Sequence, residues 1–247
     1  MTKAEIQLIR SLGDKQARLE AGLFVAEGAK LVGELLVSGL RVRKIFSRGG
    51  ELAGEQATAK EMERASHLKT PTDCLALVEI PRHEFDPTAL RGRLVLALDG
   101  VQNPGNMGTI IRLADWFGIG DVVCSDDSAD CFNPKVVQAT MGALVRVRVH
   151  YGDLTTLIPQ IGTPVFGTFL EGENLYGAKL SNEGIIVLGS EGRGISDGVA
   201  EQVTRRLFIP PYPTESAGAE SLNVAVAAAI VCSEFRRAGT PAADLVT

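Results

Sequence analysis

The sequence predicts two consecutive α/β units, the second built on a doubly wound, mainly parallel sheet. Strand-length apolar runs alternate with helical stretches along the whole chain. The run at residues 94–98, Leu-Val-Leu-Ala-Leu, is continuously apolar, as strands covered on both faces of a parallel sheet are. A polar segment at residues 81–92, with Pro81 and Pro87, separates the two patterns and sets the expected domains at 1–92 and 93–247.

In the first unit, residues 4–12 and 14–20 carry helical periodicity around a break at Gly13. A strand at 22–26 follows, then a helix at 29–37 closed by Ser38-Gly39, and strands at 42–47 and 75–80. The polar, Ala- and Glu-rich stretch between them is expected to be helical in part. In the second unit the spacing predicts strands at 94–98, 121–124, 146–149, 165–170, 185–188 and 207–209. Helices are expected at 106–117, 133–144, 154–161 and 197–203. The last, at 224–232, is almost wholly small or apolar and is expected to be buried all round, with Ser221 as its cap or as a functional group at its start.

Composition narrows the function. No apolar run has the roughly 18 residues of a membrane span, and Met1-Thr2-Lys3-Ala4-Glu5 begins no signal peptide, so a cytoplasmic protein is expected. Cys74, Cys124, Cys131 and Cys232 lack metal-ligand or disulfide spacing and are read as reduced, mostly buried thiols. The net charge is −5, yet residues 1–92 hold 14 Lys or Arg against 13 Asp or Glu, with Lys15, Arg18, Arg41, Arg43, Lys44 and Arg48 grouped. Such a patch suits an RNA recognised by shape, or is an ordinary solvated face.

Ligands of open parallel sheets bind outside the carboxyl ends of strands. Three stretches there are unusual. After residues 94–98 comes Asp99-Gly100-Val101-Gln102-Asn103-Pro104-Gly105-Asn106-Met107-Gly108, leading to Arg112, with Asn106 placed to begin a helix. After residues 185–188 comes Gly189-Ser190-Glu191-Gly192-Arg193-Gly194, whose glycines permit close approach to a flat ligand. It is neither a nucleophile elbow nor a Walker loop. After 207–209 come Pro210, Pro211 and Pro213, then Ser221-Leu222-Asn223-Val224.

These segments, in this order, resemble the SpoU (TrmH) family of RNA ribose 2′-O-methyltransferases, within the SPOUT superfamily. Asn103-Pro104, Asn106, Gly108 and Arg112 carry the first motif; Leu188-Gly189, Glu191-Gly192 and Gly194 the second; Ile209-Pro210 and Ser221-Leu222-Asn223-Val224 the third. The resemblance covers residues 94–237. Lys15, Arg18 and Phe24-Val25-Ala26-Glu27-Gly28 also resemble the L30e-like substrate-binding domain found ahead of it.

The resemblance implies a C-terminal trefoil knot, which topology rules alone would disfavour. It implies S-adenosylmethionine as cofactor, held around Thr168, Phe169, Leu170, Leu188, Gly189, Gly192, Ile209, Ser221 and Leu222. It gives catalytic roles to Arg112, Asn106, Glu191, Ser221 and Asn223, and RNA contacts to Lys15, Arg18, Arg41, Arg43, Lys44, Asn103 and Lys135. A homodimer, no metal and an RNA substrate follow, with rRNA favoured over tRNA because of the extra N-terminal domain. The alternatives are a tRNA methyltransferase and an RNA-binding protein without catalysis; a Rossmann oxidoreductase lacks its G-x-G-x-x-G. Arg112 would be the base or, since guanidinium stays protonated, a stabiliser of the emerging alkoxide. Two departures are the long loop at 211–219 and Gln138 where many relatives have Arg.

Overall fold

The computed structural model describes residues 1–49, 52–213 and 220–239. In chain order the elements are α1 (Lys3–Ser11), α2 (Lys15–Ala21), β1 (Leu23–Glu27), α3 (Ala29–Val37), β2 (Val42–Ser47), β3 (Glu55–Gln56), α4 (Ala59–Ala65) and β4 (Cys74–Glu79). Then come α5 (Pro87–Leu90), β5 (Leu94–Asp99), α6 (Pro104–Trp116), β6 (Asp121–Cys124), α7 (Pro134–Thr140), β7 (Arg148–Tyr151) and α8 (Leu154–Ile161). The rest are β8 (Val165–Phe169), β9 (Glu173–Asn174), β10 (Gly184–Gly189), α9 (Asp197–Ala200), β11 (Arg205–Phe208) and α10 (Val224–Gly239).

The chain divides into two compact units, Met1–Arg82 with Ala129–Arg146, and His83–Ser128 with Val147–Thr247. The small unit therefore takes in α7, which the sequence groups with the second domain. Its sheet has the order β1-β4-β2-β3, with β4 antiparallel to both β1 and β2. Thr2 with Glu5, and Thr58 with Glu61, form capping boxes that start α1 and α4. Ile9, Leu12, Val25, Phe46, Met62 and Leu75 make a core beneath this sheet. Phe24 of β1 meets Phe132 with ring centroids 5.1 Å apart, which helps hold α7 to this unit.

The large unit is the predicted parallel sheet, in the order β7-β6-β5-β10-β8-β11-β9 with parallel pairing throughout its described strands. All six residues of β5 are buried. Val95, Ala97, Val123, Ile158, Ile185 and Val187 form the core on one face. The loops after β5, β6 and β10, three neighbouring strands, gather at one end of the sheet.

Three local expectations are corrected. The helix expected at 133–144 ends at Thr140, because Met141 (φ 51°) and Gly142 (φ 93°) are left-handed and break the hydrogen-bond ladder. The helix after the third motif is not buried all round: Val226 is 50% exposed, while Ala225, Ala228, Val231 and Phe235 face the core. Its cap is Asn223, whose Oδ1 accepts from the Ala225 and Val226 amides at 3.0 and 3.3 Å, so Ser221 does not cap it. The trefoil knot and the long loop implied by the resemblance involve residues 214–219, which lie outside the described residues.

At the start of β6, Asp121 is buried and accepts from Arg148 Nε and Nη2 at 2.7 and 2.6 Å and from His150 Nε2 at 3.1 Å. Burial alone would raise its pKa, but the bonds from His150 and Arg148 outweigh that and hold it at about 2. A depressed folded pKa contributes stability that is present above the ordinary value of 3.8 and is lost as pH falls through about 2. Asp121→Asn is therefore expected to remove about 2 kcal/mol at pH 6. It should also flatten the fall in stability between pH 4 and pH 2; urea titrations across that window check this, and an unchanged slope would refute it.

Candidate active site

The loop after β5 begins α6 earlier than the sequence suggests. Asn103 is the cap, its Oδ1 accepting from Gly105 N at 2.8 Å and Asn106 N at 3.2 Å, and Pro104 occupies the first helical position, where no amide donor is needed. Asn106 is thereby released from capping. Its Nδ2 donates instead to Glu191 Oε1 at 2.7 Å, and Asn223 Nδ2 donates to the same oxygen at 2.7 Å and to Asn106 Oδ1 at 3.1 Å. One residue from each of the three motifs meets here. A carboxylate accepting from two amides orders all three side chains and fixes which way both amides face.

The loop carrying Glu191 is built for this position. Ser190 and Gly194 bridge through reciprocal backbone bonds of 3.0 and 2.8 Å. A Cβ on Gly189 would lie 2.1 Å from the Gly194 carbonyl carbon, so only glycine lets the loop fold back on its own strand. Asp99 Oδ2 accepts from Ser196 N at 2.7 Å, tying the end of β5 to the far side of the same loop. Ser125 Oγ accepts from Gly100 N at 2.8 Å and donates to Asp127 Oδ1 at 2.6 Å. Arg193 Nη2 donates to Asp127 Oδ2 at 3.1 Å. A cleft of about 340 Å³ opens beside Glu191, between Gln102 and Asn103 on one loop and Gly192 and Arg193 on the other.

Arg112 is exposed on α6, on one face with Thr109 and Trp116, while Met107, Ile110, Ile111 and Ala114 are buried. Among the described residues its guanidinium has no ion-pair partner, and no hydrogen bond joins it to the Asn106–Glu191–Asn223 group. Ser221 and Leu222 are exposed just ahead of α10. Thr168 and Phe169 end β8 and Leu170 follows it, Leu188 and Gly189 end β10, and Ile209 follows β11; these three strands are adjacent in the sheet, so the expected cofactor residues converge. Thr168 Oγ1 donates to Val187 O at 3.2 Å, and the Arg206 guanidinium lies 4.3 Å over the Phe169 ring. Leu170 and Leu222, 66% and 48% exposed, leave apolar surface at this end.

The expected RNA-contacting cations fare unevenly. Arg18 is a correction: it is 1% exposed, donates to Leu12 O at 2.7 Å and is ion-paired with Asp130, so it belongs to the core of the small unit. Lys44 bridges Glu5 and Glu55, and Arg41 and Arg43 share Glu79 at 3.5 and 2.9 Å. Arg41 and Arg43 nevertheless remain 82% and 64% exposed, and Lys15 and Lys135 are exposed. Sequence reasoning missed Ser125 and Asp127, which follow a strand that carries no motif. It quoted Gln102 and Arg193 within their loops without assigning them a role; only the order of strands shows that these loops are neighbours.

No group of His, Cys, Asp or Glu among the described residues could hold a metal ion, and no helix among them is long and apolar enough to cross a membrane. None of the four cysteines forms a disulfide, and all four are buried.

Known proteins are similar to this chain in sequence and in fold. The model of the SpoU rRNA Methylase family matches residues 93–233, and that of the MRM3-like substrate binding domain matches residues 3–76. The 23S rRNA (guanosine(2553)-2′-O)-methyltransferase RlmP of Bacillus subtilis is 30% identical over 240 residues, covering 92% of this chain and 94% of that protein. A TrmH-family protein from Porphyromonas gingivalis superposes with a TM-score of 0.84 at 41% identity, covering 96% of this chain and 98% of that one. An AdoMet-bound rRNA methyltransferase from Sinorhizobium meliloti gives 0.83 at 26% identity, with 96% and 95% covered. With its three motifs meeting at Glu191 and the family model matching residues 93–233, more than half of the chain, the chain belongs to the SpoU rRNA methylase family.

Proposed function

We propose that this chain methylates a ribose 2′-hydroxyl in structured rRNA, with S-adenosylmethionine as donor. The observation that carries this is the meeting of Asn106, Glu191 and Asn223 beside the convergent ends of β10, β8 and β11. The site fits that cofactor: Gly189 and Gly192 present bare backbone, Thr168, Phe169, Leu170, Leu188 and Ile209 line adjacent strand ends, and Leu170 and Leu222 offer apolar surface to a purine ring. When bound, the cofactor supplies a methyl group already activated by a sulfonium.

The chain then has to align the ribose and make its hydroxyl a better nucleophile. Glu191, fixed by two amides through Oε1, holds the three loops in one geometry, and Ser221 offers a hydroxyl at the same entrance. Arg112, with its planar fork of donors, holds the adjacent phosphate and stabilises the developing oxyanion, with water carrying the proton away. The C-terminal trefoil knot that the family resemblance implies would seat the cofactor. α6 and α10 pack together, and their exposed Arg112, Trp116 (83%) and Val226 form the face of a homodimer, which surrounds Arg112 with polar groups of the second copy. Arg41, Arg43, Lys15, Lys135 and Asn103 contact RNA, in the cytoplasm where ribosomal RNA is modified.

The test is methyl transfer from labelled S-adenosylmethionine to an unmodified 23S rRNA transcript, followed by mapping of the 2′-O-methyl position. Label on a base, or none despite cofactor binding by calorimetry, would overturn the reading.

A further inference from the structure

We propose that Arg193, seated on Asp127, reads the base of the nucleotide being methylated and selects guanine. This rests on the methyltransferase reading of the adjoining site. The cleft is lined by Glu191, whose Oε1 accepts from Asn106 and Asn223. A nucleotide whose ribose meets that group therefore extends its base between Gln102 and Arg193. At about 340 Å³ the cleft is at the small end of ligand sites, roughly 300–1,000 Å³, a size suited to a single base with its sugar.

Arg193 is held for a purpose beyond joining two loops. Its Nη2 is fixed by Asp127, which is itself fixed by Ser125, and Ser125 also takes the Gly100 amide. Gly100 has φ 67°, and a Cβ there would stand 3.2 Å from Arg193 Nη2 and 3.5 Å from Asp127 Oδ2. The bare backbone of the loop after β5 is thus the platform on which the ion pair rests. Among the described residues the other donors of the guanidinium have no partner, and the side chain is 73% exposed along the cleft.

A phosphate is the wrong ligand for such a group. Asp127 compensates the charge of Arg193, and its pKa is held low by the Ser125 and Arg193 bonds, so the carboxylate stays ionised and would repel a second anion. What the pair offers is a planar fork of donors in a fixed orientation. Guanine presents two acceptors, O6 and N7, on one edge; adenine and cytosine place an amino donor there, and uracil has a single acceptor. Gln102, whose amide both donates and accepts, supports any of the four.

The experiment uses four 23S rRNA transcripts carrying G, A, C or U at the position that the wild-type chain methylates. kcat/KM is measured on each for the wild type, Arg193→Ala, Arg193→Lys and Asp127→Asn, with cofactor affinity by calorimetry as the check on folding. The wild type is expected to prefer G by about 10–100-fold. Arg193→Ala and Arg193→Lys should bring that preference within about threefold, since Lys keeps the charge and loses the fork. Asp127→Asn, which acts through Arg193, should weaken discrimination mainly through KM. A uniform loss on all four transcripts with Arg193→Ala, as a phosphate contact would give, overturns the inference, as does a wild type indifferent to the base. Absence of methyl transfer by the wild type overturns the methyltransferase reading and this inference with it.

Discussion

Arg112→Lys is expected to lower kcat for methyl transfer by about 10²–10³-fold while leaving affinity for S-adenosylmethionine unchanged, the range typical of losing one group that stabilises a developing oxyanion. The side chain stands exposed on α6, and none of the described residues pairs with it. Lys would keep the charge and lose the planar, bidentate grip on phosphate. If the guanidinium holds the phosphate and the emerging oxyanion, the loss falls on kcat, because both contacts tighten as the methyl group moves. If Arg112 acted only as a diffuse positive charge, Lys would restore nearly full activity. Single-turnover rates of the wild type and Arg112→Lys, alongside calorimetric titration of the cofactor, separate the two. Near-normal methylation by Arg112→Lys would remove any role for a planar guanidinium.

Arg18→Met is expected to destabilise the small unit by about 3–5 kcal/mol, because it leaves Asp130 without its cation and the Leu12 carbonyl without its donor. With a urea m-value of roughly 2 kcal/mol/M, the midpoint should fall by about 2 M. The single tryptophan, Trp116, lies on α6 of the large unit, so its fluorescence is the wrong probe; amide exchange along β1 and far-ultraviolet circular dichroism report the small unit. Arg18→Met with Asp130→Leu removes both charges and should recover much of the loss, as apolar replacements of buried pairs do. An Arg18 variant of wild-type stability with weakened RNA binding would return this residue to the RNA surface.

The limits of sequence reading show in these same residues. Lys15, Arg18, Arg41, Arg43 and Lys44 look alike as a cluster of cations, but their fates differ. Arg18 is consumed by Asp130, 112 residues away, and Lys44 by Glu5 and Glu55. Asn106 and Ser221 both stand where a helix cap is expected, yet Asn103 and Asn223 do the capping. Local sequence marks where free amides need a partner; it does not decide which of several polar neighbours turns towards them, because that choice depends on what else each side chain can reach. Asn106 leaves the helix start because Glu191, 85 residues on, offers a charged acceptor.

The sequence by itself determined the parallel sheet and the places where chemistry could gather. Continuous apolar strands such as β5 can only be buried on both faces, and loops dense in Gly, Asn and Pro can only follow them at the carboxyl ends. The three motifs were legible for the same reason, since each is a local solution to ending a strand near a ligand. Only the tertiary structure decided that Asn106, Glu191 and Asn223 share one hydrogen-bonded group, that Asp127 seats Arg193 over Gly100, and that residues 129–146 belong with the small unit. It also left Val226 outside the core, on a helix whose composition alone would bury it all round. Those outcomes depend on strand order and on pairings between residues far apart in the chain, and a side chain's partner is set by the space it shares, which local pattern does not encode.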